Sequence, residues 1–215
     1  MPRDTPPPAA PTDAPTAEAA ALVTAAGPAR SAEALMREAG LELLGPCQQL
    51  SRWPGLMEQS PLLQDFTAAE ADILGQAMLR VRARPGQRLI AEDHPSDWMM
   101  LLLAGTVDIG KRKLGLEADH PQAGEVTRLA VLRPGALLGE MSMLDGEPRY
   151  ASCWALSEVE AAVMTRADVA GLITRHPGVG AKLLVKITQL LAQRLRNTSN
   201  QLVRVLQSGA PPQPR

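Results

Sequence analysis

The chain has 215 residues, 45% of them hydrophobic, which suffices for one well-buried core with extra segments but not for two full domains. Its 22 basic and 23 acidic side chains leave a formal charge of −1, so no global positive field exists to hold a polyanion such as DNA or RNA. No run of about eighteen apolar residues is present to span a membrane, and Cys47 and Cys153 make neither a C-x-x-C pair nor a disulfide framework, so the expected compartment is the reducing cytoplasm.

Residues 2 to 30 are dominated by Pro, Ala, Thr and Gly without apolar periodicity, and such a composition predicts a disordered tail. Ser31 can cap a helix over 31–44, whose apolar positions Leu35, Met36, Ala39, Leu43 and Leu44 recur at helical spacing before Gly45 and Pro46. The folded domain is expected over 59–207, with residues 1–58 outside it and 208–215 a short disordered end. A second helical stretch follows Pro61, with Leu62, Leu63, Phe66, Ala69, Ile73 and Met78 on one side.

From about residue 79 to 165 the helical period gives way to short apolar or alternating runs. They are LRVRAR before Pro85, QRLIA after Gly86, WMMLLLA after Asp97, TVDIGKR after Gly105, VTRLAVL before Pro134, then ASCWAL and VEAAVM. Regular strands separated by turn residues predict an antiparallel all-β sandwich, roll or barrel, with Lys113 to Glu125 as a long hairpin loop. After Arg166 the helical period returns, broken near His176, Pro177 and Gly178. The last helix, 178–207, carries Leu184, Ile187, Leu191, Leu195, Thr198, Leu202 and Val205 in one stripe, longer than a small roll can cover, which predicts a dimerisation seam.

The stretch most suggestive of chemistry is GEMSMLDGEPRYAS, Gly139 to Ser152, which interrupts the β pattern. Gly139 permits close backbone approach, Glu140 to Leu144 are competent for one helical turn, and Arg149 can give a two-pronged contact to phosphate oxygens. Glu140 would repel an anion unless its task is to accept a hydrogen bond from a sugar hydroxyl, so phosphate and ribose together suggest a nucleotide. The scattered His94, His120 and His176 give no metal-binding spacing, Cys153 reads as a core residue, and no catalytic constellation appears.

This stretch resembles the phosphate-binding cassette of the cyclic nucleotide-binding domain family. The resemblance extends to Pro85–Arg112, similar to the family's first hairpins, to Leu132–Glu140 and to the helix from Arg166 to His176, covering roughly residues 60 to 207. It implies a mainly β fold with flanking helices, a jelly-roll-like β-roll (double-stranded β-helix) with a long C-terminal helix. It further implies a non-enzymatic, cytoplasmic sensor for cyclic AMP or cyclic GMP, most simply cyclic AMP, that needs no cofactor and signals through its last helix to a partner protein whose identity the sequence does not give. Glu140 would bind the ribose 2′-hydroxyl and Arg149 the cyclic phosphate. Backbone around Gly139, Met141, Ser142, Tyr150 and Ala151 would complete the cradle, and Thr198 and Ser199 would reach the base across a homodimer. The family's transcription factors continue into a helix-turn-helix domain, for which there is no room after Val205, so no direct nucleic-acid contact is expected. The competing reading is a degenerate fold that serves as a ligand-free dimeric scaffold. Tyr150 departs from the family's small residue: turned outward it leaves the backbone amide to the phosphate, whereas turned inward it fills the pocket. Alternation along a strand keeps Arg149 and Tyr150 from both pointing into the pocket, and the presence of Glu140 together with Arg149, which a blocked pocket would not need, favours the outward orientation.

Overall fold

The computed structural model describes residues 31–113 and 126–208. The N-terminal stretch before Ser31, the hairpin tip expected within 113–125, and the end after Ser208 lie outside the described residues, apart from Lys113 itself.

The elements run α1 (Ala32–Glu38), β1 (Glu42–Pro46), a 3-10 turn (Leu50–Arg52), α2 (Leu56–Gln59), α3 (Ala68–Gln76), β2 (Leu79–Ala83), β3 (Arg88–Ile90), β4 (Trp98–Ala104) and β5 (Val107–Arg112). There follow β6 (Val126–Leu132), β7 (Leu137–Leu138), α4 (Glu140–Asp145), β8 (Ser152–Ala155), β9 (Val159–Thr165), α5 (Arg166–Arg175) and α6 (Pro177–Ser208). The strands form two antiparallel sheets, ordered β1-β2-β9-β4-β7 and β3-β8-β5-β6, which face each other as the two walls of a roll.

Strand β4 shows how the sequence divides the interior. WMMLLLA is apolar throughout, and a strand with period two sends alternate residues to opposite faces. Trp98, Met100 and Leu102 therefore enter the roll, where they meet Val81, Leu89, Val107, Leu138, Cys153 and Val163. Met99, Leu101 and Leu103 face the other way, against Leu50, Leu62, Leu74, Leu172, Leu183 and Ile187 of the helical layer. The first sheet is thus buried on both faces, which explains a continuous hydrophobic run where a solvated sheet would alternate. At the β4–β5 turn Gly105 adopts φ +84°, and a Cβ there would lie 2.1 Å from the Glu158 carbonyl oxygen, so only glycine fits.

Two expectations fail at the N-terminal side. The helix predicted over 31–44 stops at Glu38, although Ser31 caps it by accepting from the Ala34 amide at 3.3 Å. Leu43 and Leu44 lie instead on β1, which pairs antiparallel with β2. The apolar spacing that suggested one helix spans a Gly40 turn at φ +72°, and joining the sheet edge satisfies backbone groups that a longer helix would leave to solvent. The folded unit accordingly starts well before residue 59: Met36, Leu41, Cys47, Leu50 and Leu56 are all buried in the two cores.

The helical layer is capped as the sequence allows. Thr67 with Glu70 and Thr165 with Asp168 form capping boxes at α3 and α5. His176 ends α5, and Pro177 opens α6 at the first helical position, where its missing N–H costs no hydrogen bond. Val179, Leu183 and Ile187, spaced by four, bury the first turns of α6. Two ion pairs fix the same half: Lys182 Nζ lies 2.6 Å from Glu70 Oε1 and donates to the Asp65 carbonyl at 3.1 Å, and Lys186 pairs with Asp65.

Candidate functional site

The cassette stretch leaves the first sheet at β7, turns at Gly139, makes the short helix α4 and returns into β8. Gly139 has φ +78°, and a Cβ at this position would lie 2.6 Å from Arg149 Nη1 and 3.2 Å from the Trp98 carbonyl oxygen. Its glycine identity is therefore required twice, by the backbone and by the seat of the arginine.

Arg149 is 2% exposed, the largest fully buried side chain among the described residues. Its guanidinium donates from Nε to Ser96 Oγ at 2.9 Å, from Nη1 to the Gly139 carbonyl at 2.5 Å and from Nη2 to the Trp98 carbonyl at 2.5 Å. It stacks at 4.3 Å on the Trp98 indole. Among the described residues no carboxylate forms an ion pair with it, and its direct contacts are to carbonyl and hydroxyl oxygens and one aromatic face. Burial pulls its pKa down to about 10, an effect offset in part by the surrounding acidic groups, Glu140 and Asp97 among them. A guanidinium has five N–H donors, and only three nitrogen contacts are made to protein here, so donors remain for an incoming anion.

Glu140, the first residue of α4, is also 2% exposed. Burial pushes its carboxyl above the ordinary glutamate range, opposed by the charge of Arg194, by its own backbone amide and by Arg149. Arg194 reaches in from α6: Nη1 pairs with Glu140 Oε1, and Nη2 donates to the Leu137 carbonyl at 2.7 Å. The carboxylate at the cassette is thus tied to the long helix, while Arg149 does not pair with it. Arg166, the first residue of α5, supports the far end of the cassette by donating to the carbonyls of Met143 at 2.8 Å and Ser142 at 3.2 Å.

Of the residues expected at the site, Gly139, Glu140, Ser142 and Arg149 converge, with Ser142 buried and its carbonyl taken by Arg166 and by the Gly146 amide. Met141 projects outward from α4 and Ala151 is half-buried at the start of the return strand. Tyr150 is 57% exposed: its ring lies 4.1 Å from Lys111 Nζ, which also donates to the Tyr150 carbonyl at 2.7 Å. It has turned outward, in the irregular stretch that precedes the return strand, while its neighbour Arg149 is buried. Thr198 and Ser199 lie on the exposed second half of α6, Thr198 one turn beyond Arg194 on the same helical face. Within one chain the structure does not bring them into the cassette. Sequence reasoning missed Arg194, Ser96 and Trp98. For Arg194 a signal existed, its i, i+4 relation to Thr198, whereas nothing local marks Ser96 and Trp98, some fifty residues before the arginine they hold.

Near this latch a cleft of about 340 Å³ opens between the β6–β7 turn and α6, lined by Val131, Arg133, Leu137, Leu190 and Arg194 among others. Among the described residues no cluster of histidine, cysteine and acidic side chains suited to a metal ion occurs, and no helix is long and apolar enough to cross a membrane.

Residues 80–176 match the family model described as "Cyclic nucleotide-binding domain". The chain is 30% identical over 126 residues to the CRP-like cAMP-activated global transcriptional regulator of Mycobacterium tuberculosis, a match covering 59% of this chain and 51% of that one. It is 32% identical over 146 residues to the cyclic AMP receptor protein of Thermus thermophilus, covering 68% and 62%. The chain therefore spans about half to three-fifths of the length of these curated relatives. Among solved structures, a cyclic nucleotide-binding domain from Methylobacillus flagellatus superposes with a TM-score of 0.66 at 28% identity, covering 83% of this chain and 94% of that one.

Proposed function

Because the chain belongs to the cyclic nucleotide-binding domain family, we propose that it is a cyclic nucleotide receptor, for cyclic AMP in the first instance, that signals through α6. The observation that supports this most is the charge of Arg149. A fully buried guanidinium without a carboxylate partner is costly to maintain, and a singly charged cyclic phosphate would compensate it. Glu140 supplies the acceptor for a ribose hydroxyl, a role that a buried, anionic side chain held by Arg194 can fill with its second oxygen.

The coupling rests on the same contacts. Arg194 joins the ribose acceptor to α6, so a ligand that draws on Glu140 changes the strength of a side-chain tie between cassette and helix. Ligand then favours whichever helix position best accommodates both contacts. The exposed apolar positions Leu195, Leu202 and Val205 support a homodimer through α6, and the second copy's Thr198 and Ser199 would then approach the base. The relatives' names describe a transcriptional regulator and a receptor, and the reading for this chain is likewise regulatory, acting in the cytoplasm on a downstream protein, with no catalytic step.

Thermal shift with cyclic AMP and cyclic GMP tests the reading. Saturation at about a hundred times Kd adds roughly 2.7 kcal/mol, several degrees in a domain of this size. Arg149→Ala should abolish most of the shift, and Tyr150→Ala, on an outward ring, should leave it nearly unchanged. An unmoved melting curve at millimolar concentrations of both nucleotides would instead favour the ligand-free scaffold.

A further inference from the structure

Trp98 touches Arg149 twice. Its carbonyl accepts from Nη2 and its own indole face lies 4.3 Å from the guanidinium carbon. The residue is buried at the first position of β4, with its backbone set by pairing to Thr165 of β9. Other cation–aromatic pairs in the protein differ in kind. Lys111 over Tyr150 and Arg80 over Trp53 each also have a carboxylate, Glu92 and Glu160 respectively, whereas Arg149 has none among the described residues. For Arg149 the ring is the only extended face of negative potential that the described residues supply. A leucine or methionine would keep the site apolar, though smaller, and leave the cation without that face.

We propose that Trp98 is a positioning residue of the phosphate site: its ring and carbonyl, with Ser96 and Gly139, hold the Arg149 guanidinium in one plane so that its remaining N–H donors face an incoming anionic phosphate. The inference rests on the receptor reading and deepens it, because it makes phosphate affinity depend on a core residue of β4 that lies outside the cassette. It also makes Trp98 a reporter. Ligand that engages Arg149 changes the charge distribution directly over the indole, so Trp98 emission responds to occupancy of the phosphate site, while Trp53 and Trp154 lie elsewhere.

The test uses the full chain, with cyclic AMP as probe, and compares wild type, Trp98→Phe and Trp98→Leu by calorimetric titration. Trp98→Leu should bind about tenfold more weakly, which is about 1.4 kcal/mol, and Trp98→Phe, which keeps an aromatic face, within about threefold of wild type. In an Arg149→Gln background, read at millimolar ligand, Trp98→Leu should cost less than about twofold, since the group on which the ring acts is gone. With Trp53→Phe and Trp154→Phe in place, saturating cyclic AMP should change the emission of Trp98. If Trp98→Leu does not fold, the phenylalanine variant and the emission change decide alone. Undiminished binding by Trp98→Leu, an equal loss in the Arg149→Gln background, or silent emission from a protein that does bind would overturn the assignment. A wild type that binds neither nucleotide counts against the receptor reading itself, and is told apart because no variant comparison is then needed.

Discussion

The two halves of α6 carry the same apolar period and meet opposite fates. In the first half Val179, Leu183 and Ile187 are buried against the first sheet and the other helices, and Lys182 and Lys186 tie the helix to Glu70 and Asp65. In the second, Leu195 is 69% exposed and Leu202 57% exposed, and the helix runs on for roughly 20 Å at 1.5 Å per residue. Arg194, paired with Glu140, stands at the boundary. A stripe read from sequence therefore gives a face but not its partner: the core claims the stripe as far as Leu191, and the residues beyond it are open to another surface. The cassette touches the helix where that packing ends, which is where the proposed coupling would act.

The largest effect that would break this contrast concerns stability. Leu183→Ala should cost about 2 to 5 kcal/mol, as for other fully buried leucines, whereas Leu202→Ala should change chemical denaturation of the monomer by less than about 0.5 kcal/mol. Equal losses at both positions would mean that the second half is packed within the chain. Next comes assembly: Leu195→Glu with Leu202→Glu should turn a dimer in light scattering into a monomer while leaving far-ultraviolet circular dichroism in place.

The ion pair in the first half gives a pH test. The hydrogen bond from Lys182, with further support from Thr67, holds the Glu70 carboxyl at about 2, well below its ordinary value. A depressed acid stabilises the fold above its unfolded pKa and loses that contribution as pH falls toward the folded one. Glu70→Gln should thus melt below wild type at pH 7, and the gap should narrow from about pH 4.5 downward. In the second half Arg196 donates to the Gln193 amide oxygen rather than to a carboxylate, and Arg196→Gln should show no gap at any pH. A constant Glu70→Gln gap down to pH 3 would remove the ion pair from the account.

Much of this arrangement was legible in the sequence because its causes are local. Strand period and turn residues marked β4 and β6 to their ends, and the break at His176 and Pro177 marked the junction of α5 and α6. The cassette was legible because Gly139, Glu140 and Arg149 lie within eleven residues. What the sequence did not disclose was set by distant partners. Strand β1 exists because β2 offers an open edge, β7 is a two-residue strand that Leu137 and Leu138 gain only beside β4, and the α1 helix stops at Gly40 for reasons of backbone rather than hydrophobic period. The seat of Arg149 on Ser96 and Trp98, and the reach of Arg194 to Glu140, are contacts across about fifty residues that no spacing rule anticipates.

The smallest expected effect sharpens the comparison most, because it asks whether the free half of α6 belongs to the site at all. Thr198 and Ser199 are exposed and do not reach their own cassette, so in a lone chain Thr198→Ala with Ser199→Ala should leave cyclic AMP affinity unchanged. In a dimer built on Leu195 and Leu202, a second copy would carry the pair toward the base, and losing one or two neutral hydrogen bonds of about 0.5 to 1.5 kcal/mol each should weaken binding several-fold. The two situations can be set side by side in one titration series. The hydroxyl variant should bind more weakly than wild type in the dimer, and equally in the Leu195→Glu, Leu202→Glu monomer. A loss that persists in the monomer would mean that α6 bends its own residues into the pocket on binding, and no loss in either would confine α6 to assembly and leave base recognition to the roll.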